Sequence, residues 1–403
     1  MTSRPTAADV VAGTVWPMLV DRIAAAGRAV WDPDESTGNP MTAEGLRYLL
    51  RFLAAGISLC IEHDDTEAPE LGRMIEDRMS WGLDNPDTLY TYTRVSGAGE
   101  YRIVGTRGTA KHIEFQVNTG HYSDGDFTGW RAVSALAGDD IETDVEQHFE
   151  IALSAHPHPT GEGPANWLAL DDQASFLLIR QYFDDWENER PWDLAIERID
   201  GASTPPPLTD EVMAARVGLL LDWLDIGLHC WDDISKSILG TPVGDISPFL
   251  PPAEASGLKG QAYGMAPWRC QPGEAVVLEF HPPTCLMWGI SLCDRYWQSI
   301  DFADRQSSIN SAQAELTPQG AFVGVICHQD PGLANWFDPG AETEGTIAVR
   351  YLMPEGLPAV RYRTVPFADL VTSLPEGMPV RTPDQRREVL SRRRLSVARR
   401  YRR

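Results

Sequence analysis

The sequence lacks the short motifs that usually betray an enzyme. There is no Gly-x-x-x-x-Gly-Lys phosphate loop, no Gly-x-Ser-x-Gly elbow, no His-Glu-x-x-His pair and no Gly-x-Gly-x-x-Gly after a strand, so four common enzyme classes lose support. Positive charge is also scarce. A net charge of −24 over 403 residues argues against nucleic acid as the main partner, because binding a polyphosphate requires a cationic surface that releases counterions. Cys60, Cys230, Cys270, Cys285, Cys293 and Cys327 are scattered through apolar stretches without a Cys-x-x-Cys pair. That fits reduced, buried thiols rather than a disulfide framework or a zinc ribbon. Long apolar runs are absent as well. The most apolar helical window, Val217 to Leu228, is interrupted by Asp222 and Asp225, and a charge in mid-span costs roughly 2.5–3.5 kcal/mol on insertion, so no membrane span is expected. Met1 to Ala12 carries no basic head followed by an apolar run and a cleavage site, and the expected location is cytoplasmic.

Metal-ligand patterns are equally thin. Asp184-Asp185 follows a strand, Asp232-Asp233 has no third carboxylate at helical spacing, and His156-Pro157-His158 sits in a Pro/Gly-rich loop without a nearby third ligand. Neither a metal nor a cofactor is expected.

What is present is a change of period along the chain. Ala7 to Val30 repeats apolar residues at threes and fours, with Pro17 expected to start a turn or bend the helix. Thr42 is placed to cap a second helix with an apolar stripe at Leu46, Leu49, Leu50, Leu53, Ile57 and Ile61. Residues 1–83 thus read as a helical segment. From Asp84 the period becomes two, and residues 84–204 read as a first β-unit. Its best strand is Lys111 to Asn118, where Ile113, Phe115 and Val117 face one way and His112, Glu114, Gln116 and Asn118 the other. That polar face requires solvent or a polar cavity. Pro205-Pro206-Pro207 marks a linker, Thr209 caps a long helix from Asp210 to about Leu239, and residues 205–257 join the units. Residues 258–380 repeat the strand-rich pattern. The tail, residues 381–403, holds ten arginines against Asp384 and Glu388, a net of +8. It should fold as a surface helix onto acidic surface of its own or a neighbouring subunit, which makes a homo-oligomer a candidate assembly.

The two β-units look related. Asn166-Trp167 precedes a strand ending at Arg180, and Asn335-Trp336 precedes one ending at Arg350; 169 and 170 residues separate the copies. Upstream, Ile113-Glu114-Phe115-Gln116 matches Leu278-Glu279-Phe280-His281 at an offset of 165. The fold class is therefore α+β, mainly β, with two related β-units and N-terminal and inter-unit helices. A strand carboxylate needs solvent or a partner. Arg180 and Arg350 are the obvious partners for Glu114 and Glu279, and a carboxylate left over could act as acid or base. His281 shares a strand face with Glu279 by its spacing of two. Trp288 and the Asn335-Trp336 turn add flat aromatic faces that suit rings, although asparagine also caps tight turns and tryptophan also plugs sandwich ends.

Three segments carry a resemblance: Asp84-Asn85-Pro86-Asp87-x-x-Tyr90, Tyr101-Arg102-Ile103-x-Gly105-x-Arg107-Gly108, and Asp330-Pro331-Gly332-x-x-Asn335-Trp336-Phe337-Asp338. Over most of residues 84–352 the chain resembles the bacterial domain-of-unknown-function family 1214. Members more often read Asn-Trp-Leu-Asp-Thr and then Gly-His, where this chain has Phe337, Pro339 and Ala341-Glu342. The resemblance implies a jelly-roll-like β-sandwich with added helices and no established reaction. The expectation from the residues is an enzyme for a small polar ring compound such as a carbohydrate or glycoside, with Glu279 or Glu114 as acid/base, His281 as helper, and Trp288, Asn335, Trp336, Arg350 and Arg180 as ligand contacts. The alternative is a non-catalytic binder of an apolar, aromatic or sterol-like metabolite. Two carboxylates converging at about 5–10 Å would favour the first, and an apolar cavity the second.

Overall fold

The computed structural model describes residues 4–30, 43–125, 130–157, 163–202, 204–251 and 260–401. Thr42 and His158 lie outside these residues. Three helices come first: α1 (Ala7–Ala12), α2 (Val15–Val30) and α3 (Ala43–Ile57), the last running on through a wide turn, Ser58–Glu62. The break between α1 and α2 falls at Gly13, which takes the left-handed conformation at φ 72°, and Pro17 sits in the first turn of α2, where its missing N–H costs nothing. The expected stripe on α3 is displaced. Tyr48, Phe52 and Ala55 are the buried face, whereas Leu46, Leu50 and Ile57 are exposed, because the larger rings find aromatic partners: Phe52 stacks on Trp223 at 4.1 Å and Tyr48 on Tyr296 at 5.4 Å.

Eight strands build the first unit: β1 (Thr88–Arg94), β2 (Tyr101–Thr106), β3 (His112–Asn118), β4 (Ala132–Ala137), β5 (His148–Ser154), β6 (Asn166–Ala169), β7 (Phe176–Tyr182) and β8 (Asp193–Arg198). After the linker, α4 (Asp210–Asp222) and α5 (Leu228–Leu239) form one run through a wide turn at Trp223–Gly227, with Thr209 accepting from the Val212 N–H as its cap. Eight more strands follow: β9 (Gln261–Arg269), β10 (Glu274–Phe280), β11 (Met287–Cys293), β12 (Ser308–Asn310), β13 (Phe322–Ile326), β14 (Trp336–Phe337), β15 (Glu344–Leu352) and β16 (Arg361–Pro366). α6 (Leu370–Ser373) and α7 (Pro383–Arg400) close the chain.

The sheets repeat strand for strand. In the first unit the orders are β1-β7-β3-β4 and β6-β5-β2-β8; in the second they are β9-β15-β11-β12 and β14-β13-β10-β16. Even the short parallel pairing of β5 with β6 recurs as β13 with β14. Each unit buries alternate side chains between its two sheets, Ile113, Phe115, Val117, Ile151 and Ile179 in one and Val276, Leu278, Ile290, Phe322 and Val349 in the other. The fold is α+β, mainly β, with two related sheet pairs.

The register identifies the true counterparts. Tyr90 pairs with Arg180 and Tyr263 with Arg350, so these arginines are equivalent. Asn166 donates from Nδ2 to Glu142 O and Glu150 O and accepts from the Glu142 N–H; Asn335 does the same with Glu315 O, Val323 O and the Glu315 N–H. Glu114 and Glu279 are not counterparts. Glu114 lies opposite Arg180 on β3, and the residue opposite Arg350 is Gly289; Glu279 on β10 corresponds to Val104 on β2. Glycine is needed at 289 because a Cβ there would come within 2.6 Å of Asp87 Oδ2.

Asp87 belongs to a buried turn that staples the units together. Its Oδ1 accepts from Trp186 Nε1 in the first unit and Asn310 Nδ2 in the second. Asp84 Oδ1 accepts from Ser80 Oγ and from the Ser299 N–H. Helix α7 clamps the same junction: Arg400 donates to Pro86 O at 2.6 Å and lies 4.5 Å from the Trp186 ring centre.

Candidate functional site

The polar face of β3 meets no solvent. His112, Glu114, Gln116 and Asn118 are all buried, since their side of the sheet looks toward the second unit and the helices. There the β1-β7 face, the β9-β15 face, the 74–83 segment and α5 enclose a cavity of about 380 Å³, a size suited to a small organic molecule. Its walls are mostly rings. Trp81 meets Tyr122 edge-on at 5.6 Å and Trp231 at 5.5 Å, Tyr122 meets Trp130 at 4.9 Å, and Trp231 lies 6.0 Å from Trp297.

Most of the polar groups cluster at one end, with Asn118 apart from them. Arg180 and Arg350 both line the cavity, beside Tyr90, Tyr182, Gln261 and Tyr263. Arg180 donates to Gln116 Oε1 at 2.9 Å. Arg350 is held more fully, donating from Nη2 to Leu83 O at 2.6 Å and from Nη1 to Ser291 Oγ at 3.0 Å. Gln261 Oε1 accepts from Tyr263 Oη at 2.5 Å and from Tyr182 Oη at 3.3 Å, tying β9 of the second unit to β7 of the first. Burial pushes the Tyr90 and Tyr122 phenols up to about 12 and raises Tyr182 and Tyr263 as well, so all four keep their protons near neutral pH. Among the described lining residues there is no aspartate or glutamate. The cavity is therefore aromatic, with two guanidiniums and neutral phenols at one end.

The other expected site residues are elsewhere. Glu279 sits half-buried on the face of β10 turned away from the sandwich core, opposite Arg361, and His281 is exposed just beyond the end of that strand. The two-residue spacing does give them one side, but it is the outer side. Glu114 and Glu279 stand on different strands of different sheets, so they do not converge. Trp288 fills the core of the second sandwich, edge-on to Phe280 at 5.1 Å and Phe322 at 5.0 Å. Trp336 donates to Cys327 O at 2.8 Å and is covered by Arg386. Asn335 is spent on the backbone of the Glu315 loop and of β13. Replacing it by alanine leaves one N–H and two carbonyls without their partner, at about 1 kcal/mol for each bond, and a loss of about 3 kcal/mol is expected in denaturant melts, with Asn166→Ala behaving alike. The reading fails if either variant melts within 0.5 kcal/mol of the parent.

Sequence reasoning missed the ring cage. Trp81, Tyr122, Trp130, Trp231 and Trp297 come from loops and helices with no shared period. The one available signal was the polar face of β3. Among the described residues no His, Cys, Asp and Glu cluster could hold a metal, and no helix is long and apolar enough to cross a membrane.

Fold and site together define a duplicated β-sandwich protein with an aromatic cavity between its repeats. Over 90% of this chain and 99% of the other, it matches the crystal structure of an uncharacterised protein from Burkholderia cenocepacia, at 27% identity and a TM-score of 0.82. A looser likeness to a protein from Vibrio parahaemolyticus covers 79% of this chain and 98% of that one, at 11% identity and a TM-score of 0.44. No family model and no curated protein matches the chain.

Proposed function

We propose that this protein is a receptor for a small, largely apolar, ring-bearing molecule that carries a carboxylate. The observation behind this reading is the cavity lining: aromatic walls, two arginines at one end and no acidic residue among the described lining groups. Flat rings gain by stacking and edge contacts with the tryptophans, and a guanidinium in a poorly hydrated site recognises a carboxylate strongly. Arg180 is the group that would meet the anion: it gives one bond to Gln116 and faces Glu114 across the strands, whereas Arg350 already holds Leu83 and Ser291.

Titration by tryptophan fluorescence provides the test. Biphenyl-4-carboxylate is expected to bind at least tenfold tighter than the neutral biphenyl-4-methanol, and Arg180→Gln, made together with Glu114→Gln so that the facing buried carboxylate is not left uncompensated, should erase that preference in a protein that still melts cooperatively. Equal binding of both compounds, or no binding of either, sinks the reading. The hydrolase alternative would gain ground if nitrophenyl glycosides were turned over and Glu114→Gln abolished that turnover.

A further inference from the structure

At the cavity end away from Arg180, a buried polar atom is left without an answer. Asn118 lines the cavity and is only 1% exposed. Its amide orientation is set, because Nδ2 donates to Gln116 O at 3.1 Å and the flipped amide would turn oxygen toward oxygen. Among the described residues its Oδ1 finds no hydrogen-bond donor. A buried acceptor of this kind is costly unless something supplies a proton. Trp297, another lining residue, repeats the pattern: it is 5% exposed, and its Nε1 has no acceptor among the described residues. Its backbone is also strained. Trp297 and Leu83 both sit at positive φ, 63° and 57°, joined by a 2.7 Å bond from the Leu83 N–H to Trp297 O, and such conformations in bulky residues gather at ligand-binding sites.

The register sets an upper length. Asn118 lies opposite Phe176 and Glu114 opposite Arg180, so the two backbone rows are four residues, about 13 Å, apart along the strands, and the Arg180 guanidinium, bonded to Gln116 Oε1 in the row between, takes up part of that span. We propose that the cavity takes a rod-shaped ring compound with a carboxylate at one end and a hydroxyl at the other, the hydroxyl donating to Asn118 Oδ1. This rests on the carboxylate-receptor reading above and adds the second end group.

The test compares 4′-hydroxybiphenyl-4-carboxylate with its 4′-methoxy and unsubstituted analogues on the full chain. A methoxy group can accept but not donate. The hydroxyl compound is expected to bind at least tenfold tighter than both, and in Asn118→Leu that advantage should fall below twofold. If Asn118→Leu fails to fold, the three-compound series on the parent protein decides alone. Equal binding of the hydroxyl and methoxy compounds, with the carboxylate still required, overturns this inference and leaves the receptor reading intact. No binding of any of the three overturns both.

Discussion

Truncating the chain before Thr382, which removes α7, is expected to abolish a stable native fold. The helix looks like a solvated, basic surface element in sequence, and its deletion would then leave the β-core folded. The structure turns three of its arginines inward. Arg386, Arg393 and Arg400 are buried, and each donates to backbone carbonyls: Leu333 O, Phe302 O and Pro86 O. Arg393 lies 4.4 Å from the Trp186 ring centre and Arg400 4.6 Å from that of Phe183. Charge-assisted hydrogen bonds contribute about 1.5–3 kcal/mol each and desolvated cation–π contacts about 2. Burial of the charge offsets part of this, since it lowers the pKa of Arg393 and Arg400, but deleting the helix also uncovers the apolar cluster that Val397 and Tyr401 build with Leu89, Phe183, Trp186 and Phe302. Thermal melts followed by near-UV circular dichroism should show no cooperative transition for the truncated chain. A melting temperature within a few degrees of the parent would show that α7 is an accessory after all. The arginines also leave less of the tail for a neighbouring subunit than its composition suggests.

The second large effect is a pH dependence centred on the stapling turn. Burial pushes the Asp87 carboxyl up to about 6, and the Arg400 charge with the Asn310 and Trp186 hydrogen bonds only partly offsets it. The folded pKa lies above the unfolded one, so this group's favourable contribution is complete below about pH 4 and is lost as pH rises through about 6. The shift corresponds to about 3 kcal/mol. Asp294, pushed up to about 7 by burial, acts in the same direction over a wider window. Asp87→Asn keeps an oxygen for Trp186 and Asn310 but cannot ionise. Between pH 4 and 7 the variant should lose the part of the parent's falling stability that Asp87 contributes, and at pH 7 it should be the more stable protein. A stability difference between variant and parent that stays constant across that range would show that Asp87 does not titrate there.

Much of the architecture was legible in the residues. The switch from period 3.6 to period 2 near Asp84, the polar and apolar faces of β3, the Thr209 cap and the equivalence of Arg180 with Arg350 all follow from patterns a few residues long, and local patterns express local sterics and burial. The duplication was visible for the same reason. Yet its glutamate correspondence was misread, because Glu114 and Glu279 align at an offset of 165 while the paired strands β3 and β11 require Gly289 opposite Arg350. Loop lengths differ between the copies, and hydrogen-bond register, not distance along the chain, decides which residues are equivalent.

Only the tertiary structure decided where the site lies. A strand's polar face reads the same whether it meets water or a second domain, and nothing local distinguishes the Trp288 that fills a core from the Trp231 and Trp297 that line a cavity. Those assignments depend on which elements are brought opposite one another. The sequence by itself determined the two related β-units and which side of β3 is apolar. The aromatic cage, the inward-turned arginines of α7 and the two polar ends of the cavity arise from contacts between segments up to 314 residues apart, as Arg400 on Pro86 shows, and such contacts leave no periodic trace because each side chain satisfies a partner supplied by another part of the fold.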